Sequence, residues 1–486
     1  MPLIYKKVRF LDGMCPLSRP QVAAVFQRAR EKGRKAYLVG GSIRDAIDLP
    51  ENRTRRANLD FDFAIDGGAV EFAREISEKF AGHFVLLDDK FDIARVVLQE
   101  GIVLDFAGYS DGIEQDILRR DLTINALMMD GEVSDQVVDN VGGFEDLQAN
   151  LIRAISEASL IDDPLRLLRV YRFACARAAQ IDAATISIVK THSEKLARVA
   201  PERINYELFS LLNYECSEYI HEMGSSGLLE AIFEELKECR RVTSNSYHHL
   251  ALFDHSVETI PQLEAKFPSL PEFIQMSSRR ELIPGISRLA ASKVSALLHD
   301  IGKPATWQIQ EDGRHSFIGH DKVGAEMIRP LAERMRWAKH LTRLVEKLVL
   351  WHLRPGQLFH TGEPTQKALN RFYRNVGDDF PELMLITYAD FGATMGPGLS
   401  GEKREKLENS FDRLLTGYLT YKEQIQSMPK LLTGEDVMRE LGIGPGVIVG
   451  EILQALEEAQ EIKEVSNRSQ AQAFIRNYYD AKRPVR

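Results

Sequence analysis

The sequence predicts an α+β protein, in which an N-terminal domain built on a mixed sheet is followed by a mostly helical remainder. Short apolar runs of strand length alternate with helical segments over about the first 150 residues. From Ala158 onward the pattern is nearly all helical, with short turns. The chain has 486 residues, of which 44% are hydrophobic and 27% charged, which is typical of a globular protein with several domains.

The N-terminal elements follow one another in a clear order. A strand over Ala36–Val39 runs into a glycine turn, and a helix begins at about Arg44. The next strand carries Asp60 and Asp62. After it we predict a helix over 70–80, strands over 84–87, 94–98 and 102–106, and an apolar helix over 122–127.

The helical remainder is punctuated by prolines, and the segment 261–288, which is rich in Pro and Ser, is predicted to be a loop or linker. We divide the chain into a catalytic head (1–150), a helical neck (151–240), a metal-binding helical domain (241–425) and a helical tail (426–486). A capping pattern at Thr433 supports a helix at the start of the tail.

Charge and hydropathy exclude some classes of protein. The net charge of −9 argues against a protein that coats nucleic acid without specificity, although it does not exclude a local basic face. No apolar run is long enough to span a membrane, and the N-terminus lacks the apolar core of a signal peptide. Four cysteines without metal or disulfide spacing predict a cytoplasmic protein with reduced thiols and no membrane partner.

Asp60 and Asp62 form the first candidate site. Residues two apart on a strand share a face, and two carboxylates held this close repel each other unless a cation lies between them. Mg²⁺ is the expected cation, since it binds carboxylates together with substrate phosphates. The turn Gly40-Gly41-Ser42 offers backbone N–H groups to phosphates. A tight turn and a solvated strand edge are the ordinary alternatives.

Further charged residues lie close by in the sequence. Asp105 is either a third carboxylate on a neighbouring strand or an ordinary aspartate at a strand end. Arg119 and Arg120 are adjacent and should diverge on a helix, so that at least one can bind a triphosphate. The alternative for this pair is a solvated basic surface.

Four motifs in order resemble those of the bacterial class II tRNA nucleotidyltransferase and poly(A) polymerase family, whose head has a polymerase β-like fold. They are LVGGSIRD at 38–45, DFD at 60–62, RRDLTINAL at 119–127 and DDPLRLLRVYRFA at 162–174. The resemblance covers essentially the whole chain.

The resemblance implies that Asp60 and Asp62 hold two Mg²⁺ ions for nucleotidyl transfer. Asp105 is a candidate third catalytic carboxylate from its position on a neighbouring strand. It also implies that a set of residues contacts the incoming nucleotide: Gly40, Gly41, Ser42, Arg44, Asp45, Arg119, Arg120, Asp121, Asn125, Asp163, Arg166, Arg169 and Arg172.

Asp163 and Arg166 would serve as an amino-acid template for the base. At helical spacing of three they are expected to share a face, and an acceptor beside a donor matches the edges of cytosine and adenine. Uracil and guanine would leave groups unpaired, at ~1–3 kcal/mol each. A surface ion pair is the alternative. The family usually has Glu where this chain has Asp162.

A candidate basic strip for the tRNA acceptor stem follows in the same helical region. It consists of the arginines at 169, 172, 177, 198 and 203.

The number of nucleotides added is predicted from the short segment 106–118. In the family a longer flexible segment here accompanies the switch from C to A, and relatives with a short one stop after two Cs. We therefore expect CC addition with CTP, alongside a separate A-adding enzyme. The alternatives are a full CCA-adding enzyme, an A-adding enzyme, or a poly(A) polymerase, all of which use ATP.

A second candidate site is built from histidines and aspartates. The adjacent pair His299-Asp300, with further His and Asp on other segments, has the composition of a metal site. It resembles the HD-type phosphohydrolases, which implies His255, His299, Asp300 and Asp390 as metal ligands and His320 and His352 as ligands of a second metal. Imidazole with carboxylate suits Mn, Fe, Ni or Co. The alternative is a helical body without activity.

Taken together, these patterns predict a tRNA nucleotidyltransferase with a phosphohydrolase domain that repairs tRNA 3′ ends, with the tRNA acceptor end as its partner. The tail is expected to contact tRNA. Two other classes stay open: a phosphohydrolase whose nucleotidyltransferase half only binds RNA, and a nucleotide-regulated binding protein that does not turn over CTP or ATP.

Overall fold

The computed structural model describes residues 2–49, 59–244, 250–312, 314–360, 362–394 and 401–482. The chain forms two compact units, Met1–Glu235 and Leu236–Arg486. A mixed sheet lies in the first unit and helices dominate the second, so the predicted α+β class is confirmed. The four-part division of the chain stays a prediction.

Eight strands of the first unit form one sheet in the order β1-β8-β7-β2-β3-β6-β5-β4. β3 and β6 run parallel, and the remaining neighbours are antiparallel. The strands are β1 (Tyr5–Lys7), β2 (Ala36–Val39), β3 (Asp60–Asp66), β4 (His83–Asp88), β5 (Ile93–Val97), β6 (Val103–Tyr109), β7 (Met128–Met129) and β8 (Gln136–Val138).

β3 has two chemically different faces, as its alternating sequence predicts. Phe61 and Phe63 are buried, whereas Asp60 and Asp62 are exposed on the opposite face. Phe63 stacks on Phe106 of β6 with ring centroids 5.4 Å apart. This aromatic contact pairs the two parallel strands through the core and leaves their acidic faces turned together toward solvent.

The first unit contains eleven α-helices among its described residues. They are α1 (Pro20–Glu31), α2 (Gly41–Ala46), α3 (Ala69–Phe80), α4 (Ile113–Leu118), α5 (Gly143–Gln148), α6 (Glu157–Ile161), α7 (Leu165–Arg177), α8 (Ala183–His192), α9 (Pro201–Leu212), α10 (Ser217–Ser225) and α11 (Leu228–Ile232). A small parallel pair, β9 (Leu151–Ile152) and β10 (Gln180–Ile181), accompanies α7.

The predicted apolar helix over 122–127 is wrong. The chain makes a single 3-10 turn at Thr123–Asn125 and then enters β7. Asp121 accepts the backbone N–H of Leu122 and the side-chain amide of Asn125, and the Thr123 hydroxyl donates to Asp146. Short polar side chains that bond the local backbone compete with helix formation in this way.

The second unit is predominantly helical. Its helices are α12 (Leu236–Cys239), α13 (Leu252–Lys266), α14 (Glu272–Arg279), α15 (Arg288–Leu298), α16 (Lys303–Thr306), α17 (His320–Arg334), α18 (Lys339–Trp351), α19 (Arg354–Gln357), α20 (Gln366–Val376), α21 (Phe380–Ala393), α22 (Gly401–Ser427), α23 (Gly434–Leu441), α24 (Val447–Glu461) and α25 (Arg468–Lys482). Two hairpins, β11 (Glu281–Ile283) with β12 (Ile286–Ser287) and β13 (Gln308–Ile309) with β14 (His315–Ser316), complete it.

The predicted linker over 261–288 is also wrong. The segment finishes α13, forms α14 and then the β11–β12 hairpin, and Pro261 lies inside α13. Leu263, Leu270 and Ile274 are buried within it. Burial of these apolar side chains stabilises the folded segment by more than its proline and serine content weakens it.

The last three helices share a small apolar core of their own. Val437, Ile452, Leu456 and Ile475 are fully buried within it. Thr433 and Asp436 form the capping box at the start of α23 that the sequence predicts. Among the described residues, no helix combines the length and the apolar character that crossing a membrane requires.

Gly302, immediately before α16, offers a test of the packing between α16 and α17. A Cβ at this position would lie 2.2 Å from the carbonyl oxygen of His320 and 2.5 Å from the backbone nitrogen of Gly324. We expect Gly302→Ala to lower the free energy of unfolding by ~1–3 kcal/mol, because backbone has to move. Gly450→Ala, with no atom within 4 Å of its Cβ, should leave stability unchanged or raise it slightly. Urea denaturation of both variants checks this.

Candidate active sites

The first candidate site lies on the exposed face of β3 and β6. The parallel register places Asp105 directly beside Asp62, with Asp60 two residues away on the same face as Asp62. The sequence therefore brings three carboxylates to one patch of the sheet. Such a patch is an oxygen-donor site suited to hard divalent cations.

The electrostatics of this patch favour a cation. Partial removal from water, followed by repulsion from Asp105 and Asp60, raises the pKa of Asp62 to about 6, although part of the side chain stays exposed. The nearby guanidinium groups of Arg120 and Arg95 oppose this shift without cancelling it. A divalent ion would relieve the same repulsion that a proton relieves.

Asp105 already has one cationic partner. Arg95, opposite it on β5, donates from Nε and Nη2 to the two carboxylate oxygens at 2.7 and 2.8 Å. This bidentate pair fixes the orientation of Asp105. Residues alternate between the two faces of β5 and β6, and this alternation, which places Arg95 opposite Asp105, was the sequence signal that could have identified Arg95.

The glycine turn packs against the carboxylate patch. Gly40 has φ +82°, a backbone conformation that favours glycine, and a Cβ there would lie 3.5 Å from Oδ2 of Asp62. The turn leads straight into α2, which contains Gly41, Ser42, Arg44 and Asp45. The buried hydroxyl of Ser42 has no hydrogen-bond partner among the described residues.

Arg119 and Arg120 do not diverge as predicted but converge on the buried carboxylate of Asp116. Arg119 Nε and Arg120 Nη2 each donate to it at 2.8 Å. The reason is that Asp116 lies three and four residues earlier, at spacing that shares a helical face. Asp116 escaped the sequence analysis, although its spacing was a usable signal.

A chain of charged and polar contacts connects the glycine turn to the neck. Arg44 is buried and donates to both oxygens of Asp45 at 2.8 and 2.9 Å, and also to Asn125. Asn125 in turn donates to Asp121 at 3.0 Å, and Arg169 of α7 donates to the same carboxylate at 2.8 Å. Burial alone raises the pKa of Asp121, but Arg169 outweighs it and holds the pKa below its ordinary value.

The chain of contacts ends at Glu207 of α9, which is 2% exposed. Arg169 donates to one of its oxygens at 3.2 Å, and Arg172 donates to the other. The guanidinium groups of Arg44, Arg169 and Arg172 lie 4.9, 5.2 and 3.8 Å from the ring centroid of Phe173. These contacts hold α7 and α9 in a fixed relation to the head.

Because of these partners, three of the five arginines of the predicted basic strip are engaged or buried within the unit. Arg169 and Arg172 bond to Glu207, and Arg177 is buried. Arg198 is exposed, and Arg203, which pairs with Asp163, keeps 54% of its side chain exposed. Glu207 was not identified from the sequence, since a single acidic residue on an amphipathic helix predicts a solvated position.

Asp163 and Arg166 do not share a helical face. Asp163 precedes α7, because the residue before a proline is disfavoured in a helix, and Pro164 follows it. Its carboxylate accepts from Nη2 of Arg203 at 2.7 Å. Nη1 of Arg166 donates to the carbonyl oxygens of Arg119 and Ser159, both at 2.6 Å. Arg166 thus ties the neck to the segment that carries Arg119.

Replacing Glu207 tests this network. Glu207→Gln keeps the shape but removes the charge that Arg169 and Arg172 share, so we expect the free energy of unfolding to fall by ~3 kcal/mol. Glu194→Gln, on an exposed part of the same unit, should change it by less than ~0.5 kcal/mol. Urea denaturation monitored by circular dichroism measures both, and equal stabilities would contradict the role of the network.

The second candidate site lies within the second unit and collects all six predicted ligands. His255 comes from α13, His299 and Asp300 follow α15, and Asp390 comes from α21. The two remaining residues, His320 and His352, begin α17 and follow α18. Five helices therefore converge on one point.

Asp300 stands between two groups of ligands. Its Oδ2 lies 3.6 Å from Nε2 of His255 and 3.1 Å from Nε2 of His299, and Asp390 Oδ1 lies 3.1 and 3.5 Å from the same two nitrogens. Its Oδ1 lies 3.2 Å from Nε2 of His320 and 3.7 Å from that of His352. One carboxylate shared by two histidine pairs is suited to two adjacent metal ions.

Backbone carbonyls set the orientation of three imidazoles. Nδ1 of His299, His320 and His352 lies 2.7, 2.8 and 2.7 Å from the carbonyl oxygens of Ala296, Phe317 and Val349. A carbonyl can only accept, so each Nδ1 carries the hydrogen, and each Nε2 faces the site, where its lone pair is free to bind a metal ion once the imidazole is neutral. Metal-binding histidines are oriented in this way by their outer partners.

The site is electrostatically prepared for positive charge. Burial lowers the pKa of His299, but Asp300 and Asp390 outweigh it and raise the pKa to about 10. Burial and the neighbouring His299 lower the pKa of His352 to about 4, which keeps this imidazole neutral. A proton on His299 and a divalent cation would neutralise the same two carboxylates.

The donor atoms are better suited to binding a metal ion than to forming hydrogen bonds with one another. Nε2 of His299 and both oxygens of Asp300 are buried and make no hydrogen bond of ordinary geometry within the part of the chain that the structure describes. Such atoms are costly unless a ligand satisfies them. Lys303 was not among the predicted residues; it lies 2.5 Å from Asp300 Oδ2, at the i,i+3 spacing that could have identified it.

A cavity of about 590 Å³ opens onto the second site. Asp300, His320, His352 and Asp390 line its metal side, and Lys303 adds a positive charge. The cavity is large enough for a phosphate ester to reach the ligands.

Three family descriptions match successive parts of the chain. "Poly A polymerase head domain" matches residues 36–153, "Probable RNA and SrmB- binding site of polymerase A" matches 180–240, and "HD domain" matches 275–391. The first includes the carboxylate patch, and the third includes the second site except His255. Both domains imply the use of divalent metal ions.

Three curated relatives align over nearly the whole chain. An A-adding tRNA nucleotidyltransferase from Deinococcus radiodurans is 32% identical, over 91% of this chain and 95% of the relative. CC-adding enzymes from Geobacter sulfurreducens and Thermus thermophilus are 31% and 30% identical, over 94% and 91% of this chain and 95% and 93% of theirs.

Solved structures show the same fold. The Thermotoga maritima CCA-adding enzyme complexed with tRNA is 20% identical, with a TM-score of 0.64 over 98% of this chain and all of that one. A CCA-adding enzyme complexed with CTP is 19% identical, with a TM-score of 0.65 over 99% of this chain and all of that one. With relatives at 32% and 31% identity aligned over more than nine-tenths of its length, the chain belongs to the tRNA nucleotidyltransferase family of the CCA-adding type.

Proposed function

We propose that this tRNA nucleotidyltransferase adds two C residues to the tRNA 3′ end from CTP, with release of pyrophosphate, and then stops. The observation that carries this proposal is the short connection between the carboxylate strand and the arginine pair. β6 ends at Tyr109, α4 begins at Ile113, and Arg119 follows directly. No room is left for a flexible segment that changes the base specificity.

The relatives do not decide the point by similarity alone, since A-adding and CC-adding enzymes match this chain almost equally well. The proposal therefore depends on the length of the segment between the end of β6 and Arg119. Addition of the final A would fall to a separate enzyme.

Asp60 and Asp62 would hold Mg²⁺, with Asp105 beside them, and bound Mg²⁺ would supply Lewis-acid stabilisation of the phosphates. The chain itself contributes position. The glycine turn at Gly40 lies against the patch, and Asp116 holds Arg119 and Arg120 together near it, where their guanidinium groups can pair with a triphosphate.

Base selection is proposed to depend on Asp163 and Arg166. The proposal is supported by the fixed position of each side chain, because Arg203 orients Asp163 and two carbonyls orient Arg166. A fixed acceptor and donor favour cytosine over uracil, whose edge presents the opposite polarity.

Single-nucleotide addition tests the proposal. A tRNA transcript without its CCA end is incubated with Mg²⁺ and CTP, ATP or both, and the products are sized at nucleotide resolution. We expect growth by two with CTP and no further growth with ATP. Growth by three would identify a full CCA-adding enzyme, growth with ATP on a tRNA ending in CC an A-adding enzyme, and long tails a poly(A) polymerase.

A second activity is favoured by the convergence of six ligands in the second unit. We infer that this HD centre hydrolyses phosphate esters at RNA 3′ ends, using Mn, Fe, Ni or Co held by His255, His299, Asp300, Asp390, His320 and His352. Bound metal would supply a hydroxide and neutralise the phosphate charge. Lys303 would add a second cation.

The proposed reaction balances without a further reactant. Water adds to the phosphorus of a terminal 2′,3′-cyclic phosphate, one P–O bond to the ribose breaks, and the released ribose oxygen takes a proton. The product is a phosphate monoester, and further hydrolysis to phosphate would expose the 3′-hydroxyl that nucleotide addition needs. Release of inorganic phosphate from RNA with a 3′-terminal phosphate, with each metal in turn, measures this.

A further inference from the structure

A second cavity adjoins the HD centre. It has a volume of about 640 Å³ and shares Asp321 and Gln357 with the cavity over the metal ligands. The same stretch of chain lines both: His352 faces the metal cavity, whereas Trp351 and Arg354 on either side of it face the second one. The two cavities are therefore adjacent.

The second cavity is basic. Arg354, Lys367 and Arg371 line it, against the single carboxylate of Asp321. Lys367 and Arg371 are four residues apart on α20, and within the described ranges neither has an ion-pair partner. Like charges at this spacing cost a helix ~0.2–0.5 kcal/mol. In a protein with net charge −9, an uncompensated pair of this kind points to an anionic ligand.

An aromatic side chain lies among these cations. Trp351 is partly exposed and packs against Phe372, with ring centroids 6.2 Å apart and planes tilted by 42°. Phe372 is 3% exposed and packs against the indole ring of Trp351. Cations that follow a phosphate backbone, together with an aromatic face for stacking, are the features that bind single-stranded nucleic acid.

A third cavity provides a contrast. It has a volume of about 490 Å³ and is lined by Glu402 and Glu405 of α22 and by Glu363 of the segment between α19 and α20, which outnumber Lys406 and Arg413. The net charge of this lining is negative, which disfavours phosphates. Of these two cavities, the one between α18 and α20 is therefore the path that a negatively charged strand would take.

We propose that the groove formed by Trp351, Arg354, Lys367 and Arg371 binds the nucleotides immediately 5′ of the terminal phosphate of a single-stranded RNA. This assignment rests on the proposed phosphohydrolase function and makes its substrate an RNA 3′ end rather than a free mononucleotide. The cations contact the backbone phosphates, and Trp351 stacks on a base.

Hydrolysis of two substrates by the full chain tests the groove. One is an RNA tetramer that ends in a 2′,3′-cyclic phosphate, and the other is the corresponding cyclic mononucleotide. We expect Lys367→Ala combined with Arg371→Ala to lower kcat/KM for the tetramer at least ~10-fold and to flatten its salt dependence by ~0.7 per lost phosphate contact. The mononucleotide should be hydrolysed at an unchanged rate.

The matched control combines Lys406→Ala with Arg413→Ala in the acidic cavity and should leave both substrates unaffected. Thermal unfolding of each variant confirms that it is folded. Unchanged tetramer kinetics in the groove variant, or equal losses for both substrates, would overturn the proposal.

Crosslinking separates failure of the groove from failure of the phosphohydrolase. A tetramer with 4-thiouridine next to its 3′ end is irradiated with the protein, and the crosslinked peptide is identified by mass spectrometry. We expect a crosslink between residues 351 and 375 that the groove variant loses. If neither substrate is hydrolysed but this crosslink forms, the groove stands and the catalytic proposal fails, whereas crosslinks elsewhere contradict the groove.

Discussion

Asp62→Asn is expected to reduce nucleotide addition to tRNA by at least ~10³-fold, because it removes a carboxylate from the patch that Asp60, Asp62 and Asp105 form. Lewis-acid stabilisation at such a site contributes several kcal/mol, and each 1.36 kcal/mol is a factor of ten in rate. The measurement is a single-turnover assay with labelled CTP and a tRNA lacking its CCA end, at saturating Mg²⁺.

Asp66→Asn is the matched control, because Asp66 is an exposed aspartate on the same strand, four residues beyond Asp62. It should retain the rate of the unaltered enzyme. Phosphohydrolase activity should be unchanged in both variants, since the six HD ligands belong to the other compact unit. Addition by Asp62→Asn at more than a tenth of the normal rate would contradict the assignment of this patch.

Asp300→Asn is expected to abolish phosphate release and to leave nucleotide addition intact, which is the reverse of the pattern expected for Asp62→Asn. Both oxygens of Asp300 face histidine pairs, so the substitution removes a ligand from both groups. Loss of an outer partner of a metal ligand lowers metal affinity by ~10–100-fold. Because Asp300 is itself a proposed ligand, we expect its loss to lower metal affinity by more than that. Phosphate release from RNA should disappear, while the rate of CMP addition stays within twofold of normal.

Metal content of the purified variant, measured by inductively coupled plasma mass spectrometry, gives a readout that does not depend on catalysis. Asp312→Asn, an exposed position in the same unit, should retain full metal content. Circular dichroism establishes that Asp300→Asn is folded, since the change also deprives Lys303 of its partner. Undiminished metal content in a folded Asp300→Asn variant would show that the histidines hold metal elsewhere.

The aspartate pair and the adjacent pair at 299 and 300 were visible in the sequence because each is local. The first depends on the two-residue period of a strand, and the second depends on adjacency along the chain. Phe61 and Phe63, which alternate with the two aspartates, likewise required one buried face, which the structure has. Patterns that short are set by residue type and spacing, which a sequence displays directly.

Local reasoning failed where tertiary contacts override propensity. The segment 261–288 contains prolines and serines but folds into helices because Leu263 and Ile274 reach the core. The residues 122–127 look helical but form a turn, because Asp121 and Asp146 bond to them from the side. Neither outcome follows from the composition of the segment itself.

The sequence by itself therefore determined the α+β class and the aspartate pair on a strand, and its resemblance to a known family supplied the set of histidines and aspartates for a second site. Only the tertiary structure decided which distant partner each charge has: Glu207 for Arg169 and Arg172, and Arg203 for Asp163. The physical reason is that an ion pair depends on distance and burial. Residues tens of positions apart in the chain acquire both only after the helices and strands have packed.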